Sequence, residues 1–163
     1  IRVPTPYLHL ITMAFIRKDN NITLNDKTDL ANYRLARVIG IKHTEHITQG
    51  MKNVVEASST INMFKLLEQD SIDIALSDYV DGMWTLSKLD KNYHIIAYPK
   101  PLGRLGLYHY IHKKHRSLVK KVDDKIKEMT ASGELDQIIT AARYKVFGDT
   151  IKNYDFVDNI SIE

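Results

Sequence analysis

The chain has 163 residues, of which 44% are hydrophobic and 26% charged, a composition typical of one globular domain or two small lobes. Its 23 basic and 20 acidic residues leave a formal net charge of +3, which does not indicate the basic surface of a nucleic-acid-binding protein. There is no cysteine, which excludes disulfides and thiol chemistry, and no apolar run is long enough to span a membrane.

The N-terminal part predicts one long strand. Two prolines in residues 1–7 favour an extended lead-in, and the apolar residues of 8–17 predict a strand that ends at a polar turn, 18–21. Asn25 or Asp26 could then cap a short helical turn.

From residue 33 onward, short strands alternate with helices. The sequence predicts strands at 33–40, 52–57, 72–77 and 93–98, separated by helices at 43–51, 58–70 and 78–89. Strand–helix–strand repetition is typical of right-handed crossover units, so it predicts an α/β fold with a largely parallel sheet.

The pattern changes after Pro101. Residues 102–114 predict a second long strand, and residues 117–133 predict an amphipathic helix that ends at a glycine. Residues 134–148 predict a final helix. The tail, 149–163, shows no firm period and is expected to be irregular.

Three predicted strand ends carry residues suited to binding a small polar molecule: Gly40-Ile41-Lys42, Ser58-Ser59-Thr60 and Ser77-Asp78-Tyr79. In an open parallel sheet, ligands bind beyond the carboxyl ends of the strands, where helix N-termini point into a crevice. Backbone N–H groups and hydroxyls there could hold an anion, whereas the Asp78 carboxylate could accept hydrogen bonds from an ammonium group.

Each of these three strand-to-helix junctions, called corners below, also has a structural interpretation. Ser, Thr and Asp are the preferred helix N-caps, and capping is the favoured interpretation of Ser58, Ser59 and Thr60. For Asp78, the local sequence weighs capping and ligand binding about equally, and one carboxylate can do both.

No metal or catalytic motif is recognisable. The basic segment 112–121 is interpreted as a solvated surface rather than a phosphate site, and no GxSxG, P-loop or HExxH pattern occurs. No carboxylate or cysteine pattern completes a zinc site around the histidines spaced three apart, so hydrogen-bonded or solvated side chains are the favoured interpretation. These histidines are His43 and His46, and then His109, His112 and His115. The sequence predicts neither a metal nor a cofactor.

Three segments stand in this order along the chain: YRLARVIGIKHTEH, STINMFKLLEQDSIDIALSD and LVKKVDDKIKEMTASGELDQI. Together they resemble the second half of the type II periplasmic solute-binding proteins, the amino-acid-binding family of ABC importers. The middle segment, in which a strand ends in aspartate, is the most specific. The resemblance covers the chain to about residue 148 and implies a periplasmic-binding-protein-like type II α/β fold, with a mixed, mostly parallel sheet and helices on both faces.

The resemblance also implies two lobes joined by hinge strands. Residues 1–10 would lead in from the first lobe, 11–102 would form an inserted second lobe, 103–148 would return to the first lobe, and 149–163 would be the tail. The N-terminal part of the first lobe, which holds the family's carboxylate-binding arginine, would be absent. The chain, which starts at Ile1, is therefore expected to be processed or a fragment, its signal peptide cleaved or absent, and pairing of two copies would cover its exposed apolar face.

Two corners match the family's ligand-binding positions. Asp78 matches the aspartate that takes the α-ammonium of an amino acid. Gly40 matches the glycine before a Ser or Thr that helps to bind the carboxylate, but Ile41 and Lys42 here replace the hydroxyl residues and keep only the backbone donors. The full set of predicted ligand-binding residues is Gly40, Ile41, Lys42, Ser58, Thr60, Asp78 and Tyr79.

The implied function is binding of a small polar, amino-acid-like solute in an interlobe cleft, for ABC-type import or for sensing. The implied partners are a membrane permease or a sensor domain, the implied location is periplasmic or otherwise extracytoplasmic, and no nucleic acid is expected. An enzyme is not predicted. Two alternatives stay open: a dehydratase or lytic-transglycosylase-associated domain on the same scaffold, using Glu45, Asp78 or Asp81, and a fragment or interaction domain that binds no solute.

Overall fold

A computed structural model describes residues 1–89 and 94–148 of the chain. The predicted tail, 149–163, and Tyr93 in a predicted strand lie outside these ranges. Within them, strands and helices alternate as the sequence pattern predicts.

In the described residues, six strands and five helices keep the predicted order, but two predictions were too long: the helix predicted over 43–51 ends at Ile47, and the strand predicted over 102–114 ends at Leu107. The strands are β1 Leu8–Arg17, β2 Leu35–Val38, β3 Val54–Ala57, β4 Ile74–Asp78, β5 Ile95–Ala97 and β6 Gly103–Leu107, and the helices are α1 Lys42–Ile47, α2 Thr60–Glu68, α3 Tyr79–Lys88, α4 Leu118–Ser132 and α5 Glu134–Phe147. Short 3-10 helices lie at Lys27–Asn32 and Lys113–His115. The predicted strand 102–114 was too long, because beyond Leu107 the chain makes only an isolated bridge between Tyr110 and Arg2 before the second 3-10 helix.

The described chain falls into two compact units. One contains residues 1–10 and 105–148, and the other contains residues 11–104 apart from the four undescribed positions. The chain crosses from one unit to the other within β1 and again within β6, and these two strands pair. The lobe boundaries implied by the resemblance stay a prediction.

The sheet is mixed and flanked by helices, which confirms the predicted α/β fold class, and β2 makes its parallel pairs while β1 makes antiparallel ones. Its order is β3-β2-β4-β1-β5, with β6 also paired to β1. Strand β2 is parallel to β3 and β4, while β1 is antiparallel to β4 and β5, so β2 to β5 share one direction and β1 opposes them. Arg37 pairs with Leu76 and Val38 with Ala57, so the carboxyl ends of β2, β3 and β4 lie at one edge.

Helices cover both faces of the sheet in the unit of residues 11–104, because β1 alternates its buried side chains between the two sides. Phe15 lies 5.2 Å from the ring of Phe64 in α2. Ala14 and Ile16 belong to a second buried cluster, on which Ile47 of α1 packs. The remaining members of this cluster are Leu24, Leu30, Leu35, Ile74 and Leu76.

The other unit contains two helices, α4 and α5, joined at Gly133. Its φ of 76° is left-handed, the conformation in which glycine ends a helix without a Cβ clash, as the sequence predicts. On α4, Asp123 accepts the Thr5 N–H at 2.8 Å and pairs with Lys127 at 2.6 Å. The predicted apolar face of α4 is only partly buried, because Ile126 is buried but Leu118 is exposed.

Candidate functional site

The carboxyl edge of β2, β3 and β4 is where the three predicted corners lie. Gly40-Ile41-Lys42 follows β2 and opens α1, Ser58-Ser59-Thr60 follows β3 and opens α2, and Ser77-Asp78-Tyr79 ends β4 and opens α3. The parallel register of the three strands brings the corners to the same edge.

Asp78 is both the last residue of β4 and the N-cap of α3. Its Oδ2 accepts the N–H groups of Val80 at 3.0 Å and Asp81 at 3.3 Å, and its Oδ1 accepts the N–H of Ile11 at 3.1 Å. A carboxylate has about four acceptor positions, so these three bonds leave one on Oδ1 for a further donor.

The Asp78 carboxylate is partly buried, and burial raises the pKa of Asp78 above its ordinary value of 3.8. The three N–H groups and the nearby His43 oppose this rise. A buried anion with a raised pKa is stabilised by any cation that reaches it, which is the property an ammonium-binding carboxylate requires.

His43, in the first turn of α1, is close enough to Asp78 for the two groups to affect each other's charge. Burial lowers the pKa of His43, while the negative charge of Asp78 opposes that shift. The His43 Nε2 atom is buried and has no hydrogen-bond partner among the described residues. Burial therefore favours the neutral form of the imidazole.

Asp81 connects the corners after β3 and β4. Its Oδ2 accepts the hydroxyl of Thr60 at 2.6 Å and that of Ser77 at 3.2 Å. These bonds fix the start of α2 relative to the end of β4. The Thr60 hydroxyl is thus engaged by protein rather than directed to solvent.

Of the three residues at the second corner, Ser59 is the N-cap, so the capping interpretation is confirmed for Ser59 and is wrong for Ser58 and Thr60. The Ser59 hydroxyl accepts the N–H of Asn62 at 3.2 Å and is the N-cap of α2. The exposed Ser58 hydroxyl accepts the Asn62 side-chain amide at 2.8 Å.

The first corner is shaped by Gly40, whose φ of 79° is left-handed. The Gly40 N–H donates to the carboxylate of Glu45, and the Lys42 ammonium pairs with the same carboxylate at 2.7 Å. The Lys42 hydrogen bond is the main reason that the pKa of Glu45 lies below its ordinary value. Ile41 is the N-cap of α1 and makes no side-chain cap bond.

Tyr79, the first residue of α3, is 8% exposed, and burial raises its pKa. Its ring therefore contributes to the packing beneath the edge. The assignment of the seven predicted residues to a ligand stays a prediction.

The structure adds Ile11 and His43 to this site, which the sequence analysis did not place there, and gives Asp81, named there only as a candidate of an enzyme site, a positioning role. The Ile11 N–H reaches Asp78 from β1, and His43 and Asp81 reach the corner residues from α1 and α3. His43 stands one position after the first corner, so its place in the chain was a usable signal. No local signal indicates Ile11, because its position depends on β1 pairing with β4.

Residues 1–89 and 94–148 contain no group of three or more His, Cys, Asp or Glu side chains that could hold a metal ion. Two of the spaced histidines have structural roles: His109 stacks on Tyr7 at 4.3 Å between ring centres, and His112 caps the second 3-10 helix. No helix in these same ranges has both the length and the apolar character needed to cross a bilayer.

A cavity of about 820 Å³ lies beside α1, away from Asp78. Arg37 in its wall bonds Thr48 and Glu56, each at 2.9 Å. Its other charged wall residues include Lys42 and Glu45, which pair with each other. The wall of the cavity therefore includes Lys42 of the first corner but not Asp78.

The described chain has the fold of the type II periplasmic binding proteins, as the resemblance predicts. Two solved structures share it: the amino acid ABC transporter substrate-binding protein AbpA from Streptococcus pneumoniae bound to L-arginine, and a histidine kinase sensor domain with similarity to periplasmic binding proteins. The first has a TM-score of 0.63 at 18% identity and covers 88% of this chain and 61% of its own. The second has a TM-score of 0.63 at 17% identity and covers 86% and 62%.

Sequence comparison finds a relative in Shewanella oneidensis, an uncharacterized protein that is 29% identical over 145 residues. The match covers 82% of this chain and 52% of the relative, so the chain spans about half of that protein's length. No family model matches the chain.

Proposed function

We propose that the chain is a solute-binding module that holds a small polar, amino-acid-like molecule by its ammonium group. The observation that carries this proposal is the Asp78 carboxylate, partly buried, with a raised pKa and one unused acceptor position. It stands at the carboxyl edge of the strands, where open α/β sheets bind ligands.

The similar folds support the same class of function. AbpA is a substrate-binding protein with bound L-arginine, and the other neighbour is the sensor domain of a histidine kinase. We therefore extend the proposal to an extracytoplasmic protein that works with a membrane permease or a sensor domain.

The arrangement of the carboxylates favours binding over catalysis. The pKa of Glu45 is lowered by Lys42, which makes it a poor proton donor, and Asp81 accepts two hydroxyls that position the corners. No feature of the described residues favours an enzyme on this scaffold.

A thermal-shift panel of amino acids and related small solutes tests the proposal. A solute at about 100 times its Kd should stabilise the folded chain by roughly 2.7 kcal/mol and raise Tm. Asp78→Asn should abolish this shift, because asparagine can still cap α3 but offers no negative charge to the ammonium.

The matched control is Asp26→Asn. Asp26 is also an N-cap aspartate, at the first 3-10 helix, where it accepts the Thr28 N–H. This variant should keep the full ligand shift. A full shift in Asp78→Asn, or no shift with any solute in the panel, would overturn the proposal.

A further inference from the structure

The edge that carries Asp78 also carries three exposed isoleucines. Ile39 follows β2, Ile41 is the N-cap of α1, and Ile61 lies in the first turn of α2. They are 58%, 38% and 42% exposed, respectively. The helical period of α2 predicts Ile61 on its buried face with Phe64 and Leu67, yet Ile61 is exposed at the site edge.

Ile39 and Asp78 stand at the ends of neighbouring parallel strands. The pairing of β2 with β4 runs to Arg37 and Leu76, and Ile39 and Asp78 each follow two residues later in the chain. The Ile39 N–H also bonds the carbonyl of Ala57, the last residue of β3, at 3.0 Å. Ile39 therefore lies between the ends of β3 and β4.

Three polar side chains at this edge, those of Lys42, Glu45 and Thr60, are engaged by other groups of the protein. Lys42 pairs with Glu45, and Glu45 also accepts the Gly40 N–H. The Thr60 hydroxyl donates to Asp81. What this edge offers to a ligand is thus the unused acceptor position of Asp78, near the His43 Nε2 that is unpartnered among the described residues, together with the exposed isoleucine side chains.

We infer that the solute carries a hydrophobic side chain, aliphatic or aromatic, which covers Ile39, Ile41 and Ile61 while its ammonium binds Asp78. This inference rests on the proposed function and names the class of its ligand. Contact between hydrocarbon groups removes apolar surface of both partners from water, and the gain scales with the area buried. A charged side chain in the same place would lose hydration against hydrocarbon.

Calorimetric titration of the chain with L-leucine, L-phenylalanine, L-arginine and L-glutamate tests the inference. Leucine or phenylalanine should bind more tightly than arginine and glutamate. Ile39→Ser and Ile61→Ser should each weaken that binding by about tenfold, since each removes roughly two methylene equivalents of contact.

Val55→Ser is the matched control. Val55 is 46% exposed in β3 but lies away from the carboxyl edge, so its replacement should leave the affinity unchanged. Circular dichroism of each variant confirms that it folds, and the two isoleucine variants test the surface independently of each other.

The outcomes separate this inference from the proposed function. Binding of arginine or glutamate through Asp78, without a preference for leucine or phenylalanine, overturns the inference and leaves the proposed function standing. Leucine binding that is unchanged in both isoleucine variants also overturns it. No binding of any amino acid overturns both.

Discussion

Asp78 couples the candidate site to pH. Burial raises its pKa, so its negative charge is lost at a higher pH than that of an ordinary aspartate with a pKa of 3.8. Binding of an ammonium ligand should weaken as pH falls through the raised value. Titrations from neutral pH down to about pH 4 measure this, and an affinity that stays constant over that range would contradict the role of Asp78.

The raised pKa of Asp78 has the opposite effect on the stability of the free protein, which should increase as pH falls. A carboxyl group whose pKa is higher in the folded state stabilises that state below its unfolded pKa, and this contribution is lost as pH rises through the folded value. At neutral pH the ionised Asp78 therefore lowers the free energy of unfolding. A bound cation offsets part of this cost.

Gly82 is required by the close approach of α3 to β1. A Cβ at this position would lie 2.1 Å from the nearest ring atom of Phe15, which is fully buried. Gly82→Ala should therefore destabilise the chain, because overpacking typically costs about 1–3 kcal/mol and exceeds the roughly 1 kcal/mol gained in helix propensity. Urea unfolding measures the difference.

Gly103→Ala serves as the comparison for that measurement. A Cβ on Gly103 meets its nearest neighbour, the Ile47 Cδ1, at an ordinary 3.5 Å. The free energy of unfolding of the Gly103→Ala variant should therefore stay close to that of the unmodified chain. A Gly82→Ala protein that is as stable as the Gly103→Ala protein would show that Phe15 can move aside.

At the scale of single residues, sequence predicts what depends on near neighbours. The capping role of Asp78 is such a case, because its partners Val80 and Asp81 are two and three positions away. The Ile11 N–H, 67 residues away, could not be predicted as a partner, because it depends on β1 pairing with β4.

At the scale of elements, Asp123 ties α4 to the N-terminal segment. It pairs with Lys127 and accepts the Thr5 N–H. These two interactions, of which the one with Lys127 is the stronger, lower the pKa of Asp123 to about 2. The stabilisation is present above the unfolded pKa of 3.8 and is lost as pH falls towards about 2. Asp123→Asn should lower the urea midpoint at neutral pH and converge with the unmodified chain near that lower pH.

The neighbouring Asp124 gives a matched control on the same helix. It pairs with Lys120 at 2.6 Å on the exposed surface, where an ion pair contributes little. Asp124→Asn should leave the urea midpoint almost unchanged at every pH. An equal decrease of the urea midpoint in the Asp123→Asn and Asp124→Asn variants would contradict a stabilising role for the Thr5 hydrogen bond.

The helices and the strands differed in how well sequence could predict their extent. Periodicity and caps placed α2, α3, α4 and α5 to within about two residues, because helical hydrogen bonds are local. The strand predicted over 102–114 ends at Leu107, because a strand needs a partner and alternation alone does not supply one.

At the scale of the whole molecule, pairing of two copies stays a prediction. Exposed apolar side chains on α5 include Ile138 and Val146, eight positions apart and therefore near one face of the helix. If a second copy covers this face, the chain should sediment as a dimer at micromolar concentration. The double variant Ile138→Lys, Val146→Lys should sediment as a monomer.

Gln137→Lys is the control for added charge, since Gln137 is an exposed polar residue of α5. It should leave the sedimentation coefficient unchanged. A well-folded, unmodified chain that stays monomeric at micromolar concentration would contradict the pairing prediction.

The pairing of β1 with β6 has a consequence for how such a chain can change. The two strands carry the chain into and out of residues 11–104, and the Leu102 N–H bonds the Thr12 carbonyl at 2.8 Å, so entry and exit are neighbours. A segment whose two ends are adjacent can be replaced by another segment without a change in the rest of the chain. Recombination at these two points could therefore replace all the predicted ligand-binding residues, Asp78 among them, in one event.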